Sequence, residues 1–291
     1  MSNARLVLIH ALSPLHCGTG QAVSGIDLPI AREKPTGIPL VPGSSIKGVL
    51  RARSASAKLG AMHTAVFGPE TQNASDHAGS VQFSDANLVF LPVRSVRGTF
   101  AWVTSTYMLK RLARDAREAG IELALPAGAP VDERAWVTSD VLQADKRVVL
   151  EDFDFQAEKV DQLRKTAETV ASWLFDDQAD RAFFADRVCV LSENVVRILL
   201  DTAMEVSARI RLDVNTKTVD KGALWTEEAL PIESILAGLV VATPVKPRTG
   251  EAPQPAALLD HVTALTDGVL QIGGNATVGC GMCRVRVKGG A

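Results

Sequence analysis

The chain has 291 residues, 46% of them hydrophobic, with 31 Lys and Arg against 33 Asp and Glu for a formal charge of −2. That is enough apolar material for a substantial core in one large domain or two small ones. No apolar run approaches the roughly 20 residues that span a bilayer, and no membrane partner is expected. Met1–Arg5 leads into a strand-like run instead of a signal peptide, so the expected location is cytoplasmic.

In chain order, Arg5–Leu12 reads as a strand. Pro14–Pro42 is a long loop punctuated by glycine and proline, and a loop of that length in a compact domain is functional or disordered. Ser44–Leu59 reads as a helix, Val81–Pro92 as paired strands, and Thr104–Ala119 as a helix with charge pairs four residues apart. Residues 120–150 read as loop-rich. Ala157–Phe175 is an amphipathic helix with Val160, Leu163, Ala167, Val170 and Leu174 on one side. Val188–Leu191 reads as a strand and Ser192–Asp201 as a helix capped by Ser192. Val206–Leu212 and Ala223–Ala229 flank the polar tip Asp213–Gly222, a long hairpin signal. Ser234–Thr243 is strand-like, Pro253–Leu265 helical, and Val269–Gly273 and Met282–Lys288 are strands around a glycine-rich loop. The order suits an α+β fold with a ferredoxin-like, RNA-recognition-like core and insertions.

Charge is distributed unevenly. Residues 1–60 carry seven Lys and Arg against two Asp and Glu, whereas residues 151–181 carry nine acids against four bases. A chain polarised in this way can present one basic face while staying near neutral overall. The segment Ile26–Arg51, IDLPIAREKPTGIPLVPGSSIKGVLR, concentrates the chemistry. Asp27 is a lone loop acid. Ser44 and Ser45 are placed to cap the helix that follows, whose positive end is a ready anion site. Lys47 and Arg51 lie four apart, on one helical face. Together they describe a phosphate seat beside a carboxylate; the plainer reading is a capped surface helix after a long loop. Gly43–Gly48 lacks the spacing of a nucleotide-binding P-loop, which disfavours ATP hydrolysis. Cys280 and Cys283 supply two ligands where zinc needs four. His16 and Cys17 could complete the set, but small residues filling a glycine-rich loop account for the pair more simply.

The Ile26–Arg51 block resembles the signature of RAMP-superfamily CRISPR proteins, and in particular the repeating backbone subunit of the type III-B (Cmr) RNA-guided effector complex. Pro92–Ser105 is similar to a second block of that subunit, and Thr216–Val219 with Gly222–Pro231 to a third. Ile272–Gly281 looks like the superfamily's C-terminal glycine-rich loop. The blocks run in order from residue 16 to residue 281.

The resemblance implies one RAMP-type domain across residues 1–291: a palm, finger-like helical insertions about 14–42 and 104–181, and a β-hairpin thumb about 206–230. It implies guide CRISPR RNA, complementary target RNA, copies of the same chain in a filament and other effector subunits as partners. Carried over by position, Asp27 is the acid that supports target cleavage and holds a divalent cation, Mg2+ or Mn2+, near the scissile phosphate. The metal would assist attack by the 2′-hydroxyl. His16 is a second catalytic candidate, able to position phosphate or shuttle a proton, and equally able to pack in the loop base. Glu227 or Glu228 matches an acidic position of the family. Adjacent strand residues point to opposite faces, so only one of them reaches the site. Candidate RNA contacts are Ser44, Ser45, Lys47, Arg51, Arg94, Arg97, Lys217 and the glycines Gly273, Gly274, Gly279 and Gly281, with Arg209 and Arg211 on the thumb. The alternatives are a type III-A backbone subunit, a non-cleaving RNA-binding scaffold, and a CRISPR-precursor endoribonuclease using metal-free acid–base chemistry.

Overall fold

The first strand, β1 (Ala4–Ala11), is buried at every position. Its side chains part by alternation: Val7, Ile9 and Ala11 enter one core, Leu6 and Leu8 another. A strand covered on both faces reads as the continuous apolar run seen here. The computed structural model describes residues 3–19, 25–57, 60–69, 78–213, 216, 218–243, 245 and 253–289. After β1 come β2 (Leu40–Val41), α1 (Gly43–Ser56), α2 (Gly60–Phe67), β3 (Val81–Phe83), β4 (Ala86–Arg94), β5 (Phe100–Ser105) and α3 (Thr106–Glu118). The middle holds β6 (Arg134–Val137), β7 (Arg147–Leu150), β8 (Phe153–Lys159), α4 (Asp161–Leu174), α5 (Gln178–Ala185), β9 (Val188–Leu191) and α6 (Glu193–Thr202). The chain closes with β10 (Glu205–Leu212), β11 (Val219–Ala229), β12 (Ile235–Ala242), α7 (Pro255–Ala264), β13 (Val269–Gln271) and β14 (Met282–Lys288).

Among the described residues, twelve strands form one sheet along the path β13-β14-β1-β12-β4-β5-β9-β6-β8-β7, with β2 on β4 and β3 on β12. Pairing is antiparallel except at β5–β9 and β6–β8. One face is covered by Ile46 and Leu50 of α1, Phe67 of α2, Leu199 and Leu200 of α6, and Leu258 and Val262 of α7. The other is covered by Leu109 and Leu112 of α3, Leu163, Val170 and Leu174 of α4, and Phe184 of α5. The result is an α+β layering of helices on both sides of a mixed sheet. β10 and β11 stand apart as a two-stranded ribbon.

Several sequence expectations change. β3 and β4 do not pair with each other; both pair with β12, because the turn Ser84–Asp85 hands the chain from one part of β12 to the next. Residues 120–150 contain β6 and β7, and β8 precedes α4, so the segment 104–181 contributes strands as well as helices. α5 and α2, at eight residues each, are too short to show a helical period clearly. Within α3, Arg114 pairs with Asp115 at 3.4 Å, and Arg111 also reaches out of the helix to Glu33 at 2.9 Å.

Ser44 and Ser45 do not cap α1. Pro42 holds the N-cap position with extended φ and ψ of −58° and 137°, which places both serines already inside the helix. The first free N–H, that of Gly43, donates instead to Asp85 Oδ1 at 2.8 Å. A carboxylate thus already sits at the positive end of α1. The close approach also demands glycine, because a Cβ on Gly43 would lie 2.2 Å from the Phe83 carbonyl oxygen. Gly48, exposed in the same helix, has nothing within 4 Å of such a Cβ. Gly43→Ala should therefore destabilise the fold by about 1–3 kcal/mol through overpacking, whereas Gly48→Ala should stabilise it by about 0.5–1 kcal/mol. Urea midpoints of the two variants check the contrast.

Candidate nucleic-acid interface

The long loop is fastened to β11 residue by residue. Leu15 and Leu230 exchange both main-chain hydrogen bonds, at 2.9 and 3.0 Å. Leu28 N–H donates to Thr226 O at 3.0 Å and Glu228 N–H donates to Leu28 O at 3.0 Å, a short parallel pairing. Glu228 is 4% exposed. Its carboxylate accepts from Ile30 N–H at 3.0 Å and pairs with Arg32 at 2.5 Å. Arg32 also donates to the carbonyls of Gly37 and Leu200, tying the loop to α6. Beyond it, Glu33 accepts the Thr36 hydroxyl at 2.6 Å and the Arg111 guanidinium. The Thr36 hydrogen bond leads the causes that hold the Glu33 carboxyl below its ordinary range.

Asp27 is exposed on this fastened strip. Its Oδ2 accepts from Thr226 N–H at 2.8 Å and from Thr226 Oγ1 at 3.1 Å, and its own N–H donates to Thr226 Oγ1 at 3.1 Å. Oδ1 has no hydrogen-bond partner among the described residues. His16 is buried at the loop base. Its Nδ1–H donates to the Glu228 carbonyl at 2.6 Å, and its own carbonyl accepts Gly274 N–H at 2.8 Å. With Nδ1 protonated, Nε2 is the acceptor nitrogen of the neutral ring.

The two adjacent acids of β11 do face opposite ways. Glu228 turns into the loop. Glu227 turns to the glycine-rich loop, where Oε2 accepts from Asn275 Nδ2 at 2.9 Å and Arg209 Nε at 3.2 Å while Oε1 accepts from Trp225 Nε1 at 2.8 Å. Asn275 sits at φ 60°, a left-handed position that suits asparagine. Gly273 and Gly281 are also left-handed, and a Cβ on either would lie 2.3 Å from His16 O or 2.1 Å from Ile272 O. These two glycines let the loop pack on its own chain. Gly274 and Gly279 are exposed, and a Cβ on Gly279 would meet nothing within 4 Å, so the backbone there is open to a ligand.

The remaining candidates lie elsewhere. Lys47 is half-buried on α1, and Ser44 is exposed on its first turn with Ser45 half-buried beside it. Arg51 donates to the carbonyls of Phe67, at 3.3 Å, and Pro69, at 2.7 Å, closing the end of α2. Arg94 is exposed and pairs loosely with Glu151 at 3.2 Å, and Arg97 is exposed in the β4–β5 turn. That turn is roughly 26 Å along β4 from the α1 start, at about 3.3 Å per residue. Lys217 lies outside the described residues. The structure thus gathers Asp27, His16, Glu227, Glu228, Gly273 and Gly274 around residues 226–228 of β11, and leaves the α1 and β4–β5 groups apart from them.

Arg32, Thr226 and Asn275 are the site residues that sequence reasoning missed. Arg32 lies inside the first block, and its buried partner is the only cue to it. Among the described residues, no group of three or more His, Cys, Asp or Glu forms a metal cluster. Burial pushes the Cys17 thiol up to about 11 and the Cys283 thiol to about 12, as befits core side chains. Removing the Glu228 carboxylate strands the Arg32 charge and the Ile30 N–H. Glu228→Ala should cost about 3 kcal/mol of stability, with Glu228→Gln costing less; chemical denaturation measures both.

The sequence matches the RAMP superfamily profile over residues 8–284. It is 33% identical over 294 residues to the CRISPR system Cmr endoribonuclease Cmr4 of Pyrococcus furiosus, covering 98% of this chain and 96% of that protein. The fold superimposes on the crystal structure of oligomeric Cmr4 from Pyrococcus furiosus with a TM-score of 0.77 at 28% identity, covering 99% of this chain and 98% of that one. It shares its fold with a chain of the type III-B Cmr-beta complex bound to cognate target RNA, at a TM-score of 0.76 and 20% identity, covering 98% and 96% of the two chains. The chain belongs to the RAMP superfamily.

Proposed function

We propose that the chain is the repeating backbone subunit of a type III-B CRISPR effector, acting in the cytoplasm as an endoribonuclease within a ribonucleoprotein. In this reading its copies form a filament on guide RNA, beside other subunits, and cut complementary target RNA at regular intervals. One domain with finger segments 14–42 and 104–181 and a thumb at 206–230 performs both tasks. The observation that carries the reading is 33% identity, over 98% of the chain, to a protein named as a Cmr endoribonuclease.

Asp27 is the cleaving-site acid in this proposal. Two hydrogen bonds fix Oδ2, so Oδ1 is the oxygen left for the reaction. A single carboxylate oxygen fits Mg2+ or Mn2+, since such ions are held by one or two carboxylates with water and phosphate oxygens completing the shell. When bound, the cation would neutralise developing charge on the scissile phosphate and favour the 2′-hydroxyl nucleophile. His16, buried against the Glu228 carbonyl, orients the loop base; Glu227 holds the glycine-rich loop to the thumb strand. Gly274 and Gly279 present open backbone to guide RNA, and Lys47, Ser44, Ser45, Arg94 and Arg97 add contacts. Glu228 is assigned a structural part.

In the assembled complex, Asp27→Ala should abolish target cleavage while guide and target affinities stay within about twofold, because one loop carboxylate adds little to phosphate binding. EDTA should stop cutting and Mg2+ or Mn2+ restore it; metal-independent cutting of precursor RNA would favour the precursor endoribonuclease instead. Lys47→Ala should reduce the magnitude of the salt slope for single-stranded RNA by about 0.7. Arg51→Ala should act chiefly on stability, its guanidinium being engaged by α2. Salt titrations of the two variants, with melting curves, separate these effects.

A further inference from the structure

We propose that Thr226 is the positioning residue for Asp27, and that it transmits the placement of the thumb hairpin to the cleaving acid; the inference rests on the reading of Asp27 given above. Thr226 occupies β11 opposite Ala208 of β10. In an antiparallel ladder alternate residues turn their main-chain groups away from the partner strand. Those of Thr226 turn to the loop: its carbonyl accepts Leu28 N–H at 3.0 Å and its N–H donates to Asp27 Oδ2 at 2.8 Å. Its hydroxyl completes the bracket by accepting Asp27 N–H and donating to Oδ2. One small side chain therefore spends its donor and a lone pair on the same residue. The bracket fixes the side-chain rotation of Asp27, makes it a one-oxygen ligand through Oδ1, and moves it with the hairpin. No other side chain among the described residues hydrogen-bonds Asp27.

Thr226→Val keeps strand propensity and shape but removes both hydroxyl bonds. In the assembled complex it should slow single-turnover target cleavage about tenfold, since small misplacements of a reacting group are costly. The KM for target and the guide affinity should be unchanged. The Asp27 amide should lose hydrogen-exchange protection. Thr226→Ser, which restores the hydroxyl, should recover the rate to within about threefold and restore that protection; a purely structural role would not require the hydroxyl. Thr226→Ala reads the same loss if the valine variant does not fold. Parental cleavage by Thr226→Val while Asp27→Ala is inactive would overturn this inference and leave the functional reading intact. Parental cleavage by Asp27→Ala would overturn the reading, and the inference with it. A serine variant as slow as valine would also overturn it, by showing that the hydroxyl is not the agent.

Discussion

A carboxylate taken out of water must be matched by donors, and the candidate site is organised around that requirement at Glu228. The two oxygens of this 4% exposed side chain are met by the Ile30 N–H and the Arg32 guanidinium. Neither donor belongs to β11. Both come from the long loop, so the loop is drawn onto the strand as the condition for burying the charge. Once Ile30 and Arg32 are placed, Leu28 falls into parallel register and Asp27 reaches Thr226. The His16 ring is held by the main-chain carbonyl of the same residue. Loss of the pair would release the exposed acid and the loop base together.

The strand that carries these contacts serves two clients because of its pleat. Even-numbered residues near the root of β11 meet the long loop, and odd-numbered residues meet the glycine-rich loop through Glu227, Trp225 and Asn275. Farther out, the ribbon carries exposed apolar side chains at Ile210, Leu212, Val219 and Leu224. The ribbon is thus anchored at one end by polar contacts to both loops. An isolated two-stranded ribbon is marginal in water, so its order depends on that anchored end.

Much of this fold was legible because its signals are periodic. β1, β9, β10, β12 and α6 fall where alternation, helical stripes and the Ser192 cap put them, whereas α4 starts at Asp161 because Ala157–Lys159, expected in the helix, pairs with β6 as part of β8. β6, β7 and β8 were not legible: β6 and β7 are four residues each, β6 finds its partners in β8 and β9, and the burial of β8 is too uneven to show alternation. The serine cap failed for a local reason: Pro42 took the capping position, and a carboxylate from another strand took the free N–H. In the site, the exposure of Asp27 could be read from its Pro/Gly-punctuated loop, and the opposite facing of Glu227 and Glu228 from strand alternation. Which acid is buried could not, because it depends on Arg32, some 196 residues away in sequence. For a similar reason helical spacing gives the face of Arg51 but not the carbonyls of Phe67 and Pro69 that engage it.

Two identical acids side by side on a strand create a frame that can be misread. If β11 slipped by one residue against the loop so that Glu227 was offered to Arg32, that acid would still find a chemically acceptable partner, while Thr226 would stand in the place of Glu227 opposite Asn275. The error would be cheap at Arg32 and expensive around it. Trp225 would take the place of Thr226, with no hydroxyl to meet Asp27, and the apolar and polar faces of the ribbon would exchange. The irregularity between Ile210 and Leu212 in the β10–β11 pairing fixes the frame from the ribbon's outer half. The hairpin therefore acts as a reading frame for the site, in which a bulge at one end and a threonine at the other exclude the alternative that two glutamates alone would permit.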